Sequence, residues 1–148
     1  MSFDPAEGTL ARSLDASKPA GSHELRSWAD TLPPLTLAFV GDGVFDLVIR
    51  TMVVTAGKDR PVKKLHKEKA DRVNARAQAA LTKAIAPLLT DEEAAILKRG
   101  RNTHSNTVPK NQSVTDYRLA TGLEALCGYL YMKGEMARLL DLIKAGLG

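Results

Sequence analysis

Apolar residues in this sequence recur three and four positions apart, the spacing that lines one face of an α-helix. Alternation of the kind that marks strands is missing, and Val53-Val54-Thr55, at a helix end, is the nearest thing to a β-branched run. The pattern predicts an all-α fold of five to seven helices. Residues 1–22 show no apolar periodicity and are expected to form a flexible tail, leaving 23–148 as one domain. A short helix is expected over 22–30, with Ser22 as its N-cap and Leu25, Trp28 and Ala29 facing inward. Pro33-Pro34 breaks it. The next stretch, 35–55, is apolar on nearly every face and stops at Gly57, as a helix buried all round would.

A second long helix is predicted over 62–86, with Leu65, Ala70, Val73, Ala77, Ala80, Leu81 and Ile85 as its inner stripe and Pro87 ending it. Thr90-Asp91-Glu92-Glu93 signals a helix start: Thr90 caps, Glu93 closes a capping box, and the acids face the positive end of the helix dipole. From Gly100 to Asn111 the chain is polar and basic, and a surface loop is expected. Ser113 opens a helix over 114–133, and a last helix spans 135–145.

Composition narrows the class. A chain of 148 residues can bury one sizeable core. Its single cysteine, Cys127, excludes an intrachain disulfide and a cysteine zinc site. Asp42, Asp46 and Arg50 interrupt the most apolar stretch, so no membrane span is expected. The first residues carry Asp4 and Glu7 and no apolar segment, which argues against a signal peptide and for the cytoplasm. The net charge is +4, and the basic residues are clustered. Residues 58–76 hold eight Lys or Arg against three acids, and residues 98–118 hold five against one. Such surfaces suit a phosphate backbone, although a solvated face would look the same.

The chemistry concentrates on two helices. Asp42 and Asp46 lie four residues apart in the apolar 35–55 stretch. Asp46 has Arg50 one turn away and can simply be ion-paired. Asp42 has no basic residue within a turn and is flanked by Gly41 and Gly43. It is either a buried carboxylate satisfied by distant donors or a ligand. The second apolar helix carries Glu124 beside Gly122, Ala125 and Gly128. Small residues let helices approach closely, so a crossing there would bring Asp42 and Glu124 together. Two carboxylates stay ionised in a dry cleft only with a cation between them. Oxygen ligands without a Cys or His cluster favour magnesium or manganese over zinc. An acidic metal site beside basic surfaces fits a metal-dependent phosphodiesterase acting on nucleic acid.

Phe39-Val40-Gly41-Asp42-Gly43-Val44-Phe45-Asp46-Leu47 resembles the signature of the ribonuclease III family, whose core is Phe-Leu-Gly-Asp-Ala-Val. Glu124-Ala125-Leu126-Cys127-Gly128-Tyr129-Leu130-Tyr131 is similar to its second acidic motif, Glu-Ala-x-x-Gly-x-x-Tyr. Leu65-His66-Lys67, Ala75-x-Ala77-Gln78-Ala79, Lys98-Arg99-Gly100-Arg101-Asn102, Val108-Pro109-Lys110-Asn111 and Tyr117-Arg118-x-Ala120-Thr121 resemble the Mini-ribonuclease III subfamily in particular. The likeness runs in order over about 35–142.

This resemblance implies an all-helical homodimer that cleaves double-stranded RNA with magnesium, leaving a 5′-phosphate and a 3′-hydroxyl. Manganese is a possible substitute. Asp42 and Glu124 would be the metal-bound catalytic acids, with Asp46 a hydrogen-bonding residue behind them. The subfamily matures large-subunit (23S) ribosomal RNA, with a ribosomal protein as a candidate accessory. It lacks the separate RNA-binding domain of longer relatives, so RNA contacts fall to the catalytic domain. Lys67, Arg72 and Arg76 form one candidate surface, and Arg99, Arg101, Asn102, His104, Lys110 and Asn111 another. The sequence departs from the longer enzymes at Leu35, Ala38 and Thr121, where they carry further acids. It also has Gly43 where Ala is usual and Asp46 where the subfamily has Glu. Two other readings compete: a non-catalytic RNA- or ribosome-binding module on the same fold, and a small phosphohydrolase with a closed nucleotide pocket.

Overall fold

The computed structural model describes residues 22–103 and 108–148. The expected tail, apart from Ser22, therefore lies outside the described residues, as does His104. Seven α-helices and one 3-10 turn account for the described fold, with no strand among them. They are α1 (Ser22–Thr31), α2 (Pro34–Ala56), α3 (Val62–Val73), α4 (Ala75–Ile85), α5 (Asp91–Asn102), α6 (Val114–Met132) and α7 (Met136–Leu147). The 3-10 turn, Ala86–Leu88, follows α4 and contains Pro87.

Helix α6 is the axis of the molecule. It packs chiefly against α2, α5 and α4, and also touches α1 and α7. Its buried residues run round the helix, from Ala120, Gly122 and Leu123 to Tyr129 and Leu130. Phe45, Ile49, Leu123, Leu126, Leu130, Leu139 and Ile143 form one core with 1% exposure or less, except Leu139 at 2%. Close approach, rather than side-chain volume, sets the two main crossings. A Cβ at Gly128 would lie 2.0 Å from the Leu37 carbonyl oxygen, and one at Gly122 would lie 2.7 Å from that of Leu97. Neither crossing can hold even an alanine without moving a backbone.

Caps mark the helix boundaries. Thr90 Oγ1 accepts from the Glu93 amide at 3.1 Å, and Glu93 Oε1 accepts from the Thr90 amide at 2.9 Å, a complete capping box. The buried Glu93 carboxylate also receives Arg138 of α7, Nε at 2.9 Å and Nη2 at 2.9 Å. The Arg138 hydrogen bonds outweigh burial and hold Glu93 below the usual glutamate range. Ser113 Oγ accepts from the Asp116 amide at 3.3 Å and caps α6. At the far end of α6, Gly134 takes φ 78°. Its amide donates to Tyr131 O and that of Glu135 to Leu130 O, a Schellman stop that turns the chain into α7.

The fold corrects four sequence expectations. Residues 62–86 form two helices, because Asn74 ends one and starts the other. Its Nδ2 donates to Ala70 O at 3.1 Å, while its Oδ1 accepts from the Ala77 amide at 2.8 Å. Helix α3 buries no residue fully, and Ala70 and Ala80 are exposed. Helix α5 runs on through Gly100 to Asn102, so Arg99, Arg101 and Asn102 are helical rather than loop residues. Gly100 stays helical because it packs against Gly122 and Ala125. Trp28 is 39% exposed, whereas Ala29 is buried as expected.

Candidate active site and nucleic-acid interface

The crossing of α2 over α6 sets the candidate site. Gly41 of α2 rests directly on the backbone of Glu124 and Gly128. Asp42, the next residue, is exposed at the rim, and Glu124 is half-buried beneath it. Burial first, and then the negative charge of Asp42, push the Glu124 carboxyl up to about 7. The two acids, 82 positions apart in the chain, thus sense one another across the crossing, as the small residues around them imply.

This donor set fits a hard divalent cation. It offers two carboxylates and no sulfur or imidazole, and a cation would remove the repulsion that raises Glu124. No group of three or more His, Cys, Asp or Glu is placed to hold a metal among the described residues. Water and substrate phosphate would therefore complete the shell, which suits magnesium, an ion that keeps several waters.

Asp46 is occupied otherwise. Its carboxylate accepts Arg50 Nε at 2.5 Å and Lys69 Nζ at 3.3 Å. Burial raises its pKa, but the hydrogen bonds from Arg50 and Lys69 outweigh it and leave the group below the ordinary value. The Arg50 pair was legible from four-residue spacing. Lys69 was not, since only the packing of α3 on α2 brings it there. Asp46 thus ties the basic helix α3 to the helix that carries Asp42.

The basic candidates do not form one surface. Lys67 reaches Asp71 at 3.2 Å, both exposed, and Arg72 is exposed on the same short helix. Arg76 and Asn111 meet across a hollow of about 320 Å³ that also involves Asn74, Ser113 and Asp116. Asn111 holds φ 69° there, a left-handed conformation that asparagine tolerates. Arg101 and Asn102 line a second hollow of about 260 Å³ with Thr115, Arg118 and Leu119. Arg99 and Lys110 are exposed. The start of α6 therefore separates two hollows, one with Arg76 in its wall and the other with Arg101 and Arg118.

Comparison with known proteins shows the family. The ribonuclease III domain pattern matches residues 35–135, which include both acids. A Mini-ribonuclease 3 from Thermoanaerobacter sp. is 53% identical over 114 residues, covering 77% of this chain and 80% of that protein. One from Clostridium tetani is 47% identical over 111 residues, covering 75% and 74%. The crystal structure of a Fusobacterium nucleatum protein superposes with a TM-score of 0.70 at 32% identity, covering 76% of this chain and 89% of that one. The chain belongs to the ribonuclease III family of endoribonucleases, and within it to the Mini-ribonuclease 3 group.

Proposed function

We propose that this protein is a magnesium-dependent endoribonuclease that cuts double-stranded RNA as a homodimer in the cytoplasm. Its substrate on this reading is precursor 23S ribosomal RNA, with a ribosomal protein as a candidate accessory. The observation that carries the reading is the pairing of Asp42 with Glu124 across a backbone-to-backbone helix crossing, with Glu124 raised to about 7 by burial and by Asp42. Such a pair is poorly satisfied without a cation and is poised to accept one.

Asp42 and Glu124 would hold magnesium, or manganese in its place. Bound there, the ion would polarise the scissile phosphodiester and lower the pKa of a water, the chemistry that leaves a 5′-phosphate and a 3′-hydroxyl. The protein's own part is positional. Glu124 must give up its proton to serve as a ligand, and its elevated pKa makes that step sensitive to pH near neutrality. Asp46 stands behind the pair and orients α2 through Arg50 and Lys69.

The dimer rests on a face of α2 that has no cover within the described chain. Phe39 is 82% exposed and Leu47 is 64% exposed, and Gly43 lies between them at four-residue spacing. A Cβ at Gly43 would meet no atom within 4 Å. A mid-helix glycine without an internal packing reason suits the close approach of a second backbone. Beside it, Leu47, Met52, Met136 and Leu140 line an apolar hollow of about 340 Å³. Among the described residues no helix is long and apolar enough to cross a membrane.

The test is incubation with a long RNA duplex and, separately, with single-stranded RNA, each with magnesium and with chelator. Magnesium-dependent cutting of the duplex alone is expected. Binding without cutting under every metal tried would overturn the enzymatic reading in favour of an RNA-binding module.

A further inference from the structure

We infer that the notch between the end of α5 and the start of α6 seats one backbone phosphate of the RNA close to the cut. Arg118 and Thr115 join Arg101 and Asn102 in holding it. The inference rests on the duplex-cleaving reading above and adds a positioning site to it.

The notch is built for an anion. Two guanidinium groups, Arg101 and Arg118, line one hollow of about 260 Å³ that no carboxylate lines. Like charges so placed repel unless an anion lies between them. Neither has an ion pair among the described residues, and Arg101 Nε has only the amide oxygen of Asn102, at 3.3 Å. Arg50, Arg60 and Arg138 are matched with Asp46, Glu68 and Glu93. Arg72, Arg76 and Arg99 also lack an ion pair among the described residues, but Arg101 and Arg118 are the two arginines that share one hollow. The start of α6 adds to the field. Ser113 takes the Asp116 amide with its hydroxyl and the Tyr117 amide with its carbonyl. The Val114 and Thr115 amides have no partner among the described residues, at the positive end of a 19-residue helix. Forked guanidiniums, a threonine hydroxyl and free amides are the donors that a phosphate takes.

The notch is also rigidly indexed to the candidate site. A Cβ at Gly122 would lie 3.3 Å from the Arg101 amide nitrogen, so the end of α5 rests on α6 two residues before Glu124. Arg118 precedes Glu124 by six residues, roughly 9 Å along the helix axis and about 120° around it. The notch is thus held at a fixed offset from Glu124 along the same helix. Contacts to phosphate carry no sequence information but fix the register of a duplex on the protein. Arg101 and Arg118 act here as positioning residues that set where the cut falls.

The test uses Arg118→Ala, Arg118→Lys and the Arg101→Ala/Arg118→Ala pair, each on a duplex of defined sequence cut by the unaltered protein. For Arg118→Ala, KM is expected to rise about tenfold with kcat nearly unchanged, the scale of one lost charge-assisted hydrogen bond. The salt slope of binding, measured in an Asp42→Asn background that cannot cut, should fall by about one. Cleavage should spread to neighbouring positions. Arg118→Lys should restore the salt slope but not the single cut position, because a lysine lacks the fork. Unaltered KM, salt slope and cut position in both Arg118→Ala and the double variant overturn the inference. If the Asp42→Asn protein binds duplex RNA but the unaltered protein never cuts it, the salt slope still decides on the notch while the enzymatic reading falls. Binding of an acidic peptide at the notch, with no loss of RNA affinity in Arg118→Ala, assigns the notch to a protein partner instead and overturns the inference.

Discussion

Gly41 touches the backbone of Glu124 so closely that a Cβ on Gly41 would lie 1.6 Å from the Glu124 carbonyl oxygen. Gly41→Ala must therefore lift α2 from α6. Overpacking of this kind costs about 1–3 kcal/mol, and more where backbone has to move. The same shift separates Asp42 from Glu124, so cleavage should fall further than stability does. Denaturant unfolding and cleavage under conditions where the variant is still folded check both. Native stability together with native activity would show that the crossing is looser than described.

Glu124 makes the metal-free protein less stable as the pH rises. Folded, its carboxyl holds a proton up to about 7, against an ordinary value of 4.5. The folded state thus binds more protons than the unfolded state across that window, and stability falls from its lower to its upper edge. Glu124→Gln should exceed the parent in metal-free stability at about pH 8 and match it at about pH 4. Magnesium should stabilise the parent at the higher pH and leave the variant unmoved. Thermal unfolding at both pH values, with chelator and with magnesium, measures this. A parent whose stability is flat between the two would remove the raised carboxyl.

Asp46 works in the opposite direction. Its pKa is lowered from 3.8, with burial opposing the stronger hydrogen bonds from Arg50 and Lys69. Its contribution is present above that value and is lost as the pH falls through the lowered one. The group is partly exposed, so Asp46→Asn should cost less than about 1 kcal/mol at neutral pH. The difference should close on acidification. A larger loss of RNA affinity than of stability would instead show that α3 depends on this tie to meet the substrate.

The open face of α2 gives a prediction about assembly. Phe39→Glu and Leu47→Glu change side chains that are 82% and 64% exposed, so the fold should survive. Sedimentation velocity should then report a folded monomer, against the dimer proposed for the parent. Gly43→Ala, with nothing within 4 Å, should stabilise an isolated chain by up to about 1 kcal/mol through helix propensity. A smaller gain in the assembled protein would locate the partner's approach at Gly43. A parent that sediments as a monomer ends the dimer proposal.

The sequence was most informative where local chemistry decides the outcome. Thr90 with Glu93 and Ser113 with the Asp116 amide are bonds within one turn, so their pattern is visible in the chain itself. The juxtaposition of Asp42 and Glu124 was legible because each acid sits among small residues that only a close crossing explains. The break at Asn74 was hidden, since it carries neither proline nor an apolar interruption and depends on one side chain bonding both ways. Gly100 resembled a helix stop for want of its partner, Gly122, which lies 22 positions on. Lys69 at Asp46 and Arg118 beside Arg101 are products of packing, and periodicity has no access to them.

The contacts of Gly41 and Gly128 have a bearing on how this protein can diverge. Where two helices meet through side chains, each core substitution shifts them by a fraction of an ångström. Here main chain rests on main chain, so the spacing between the two acids does not depend on which residues fill the core. Phe45, Leu126 or Leu139 can be exchanged for side chains of similar volume without touching the contact that sets Asp42 against Glu124. Substitutions that tune stability and substitutions that move the site thereby fall on different residues, and Gly41 and Gly128 are positions with no room for a side chain.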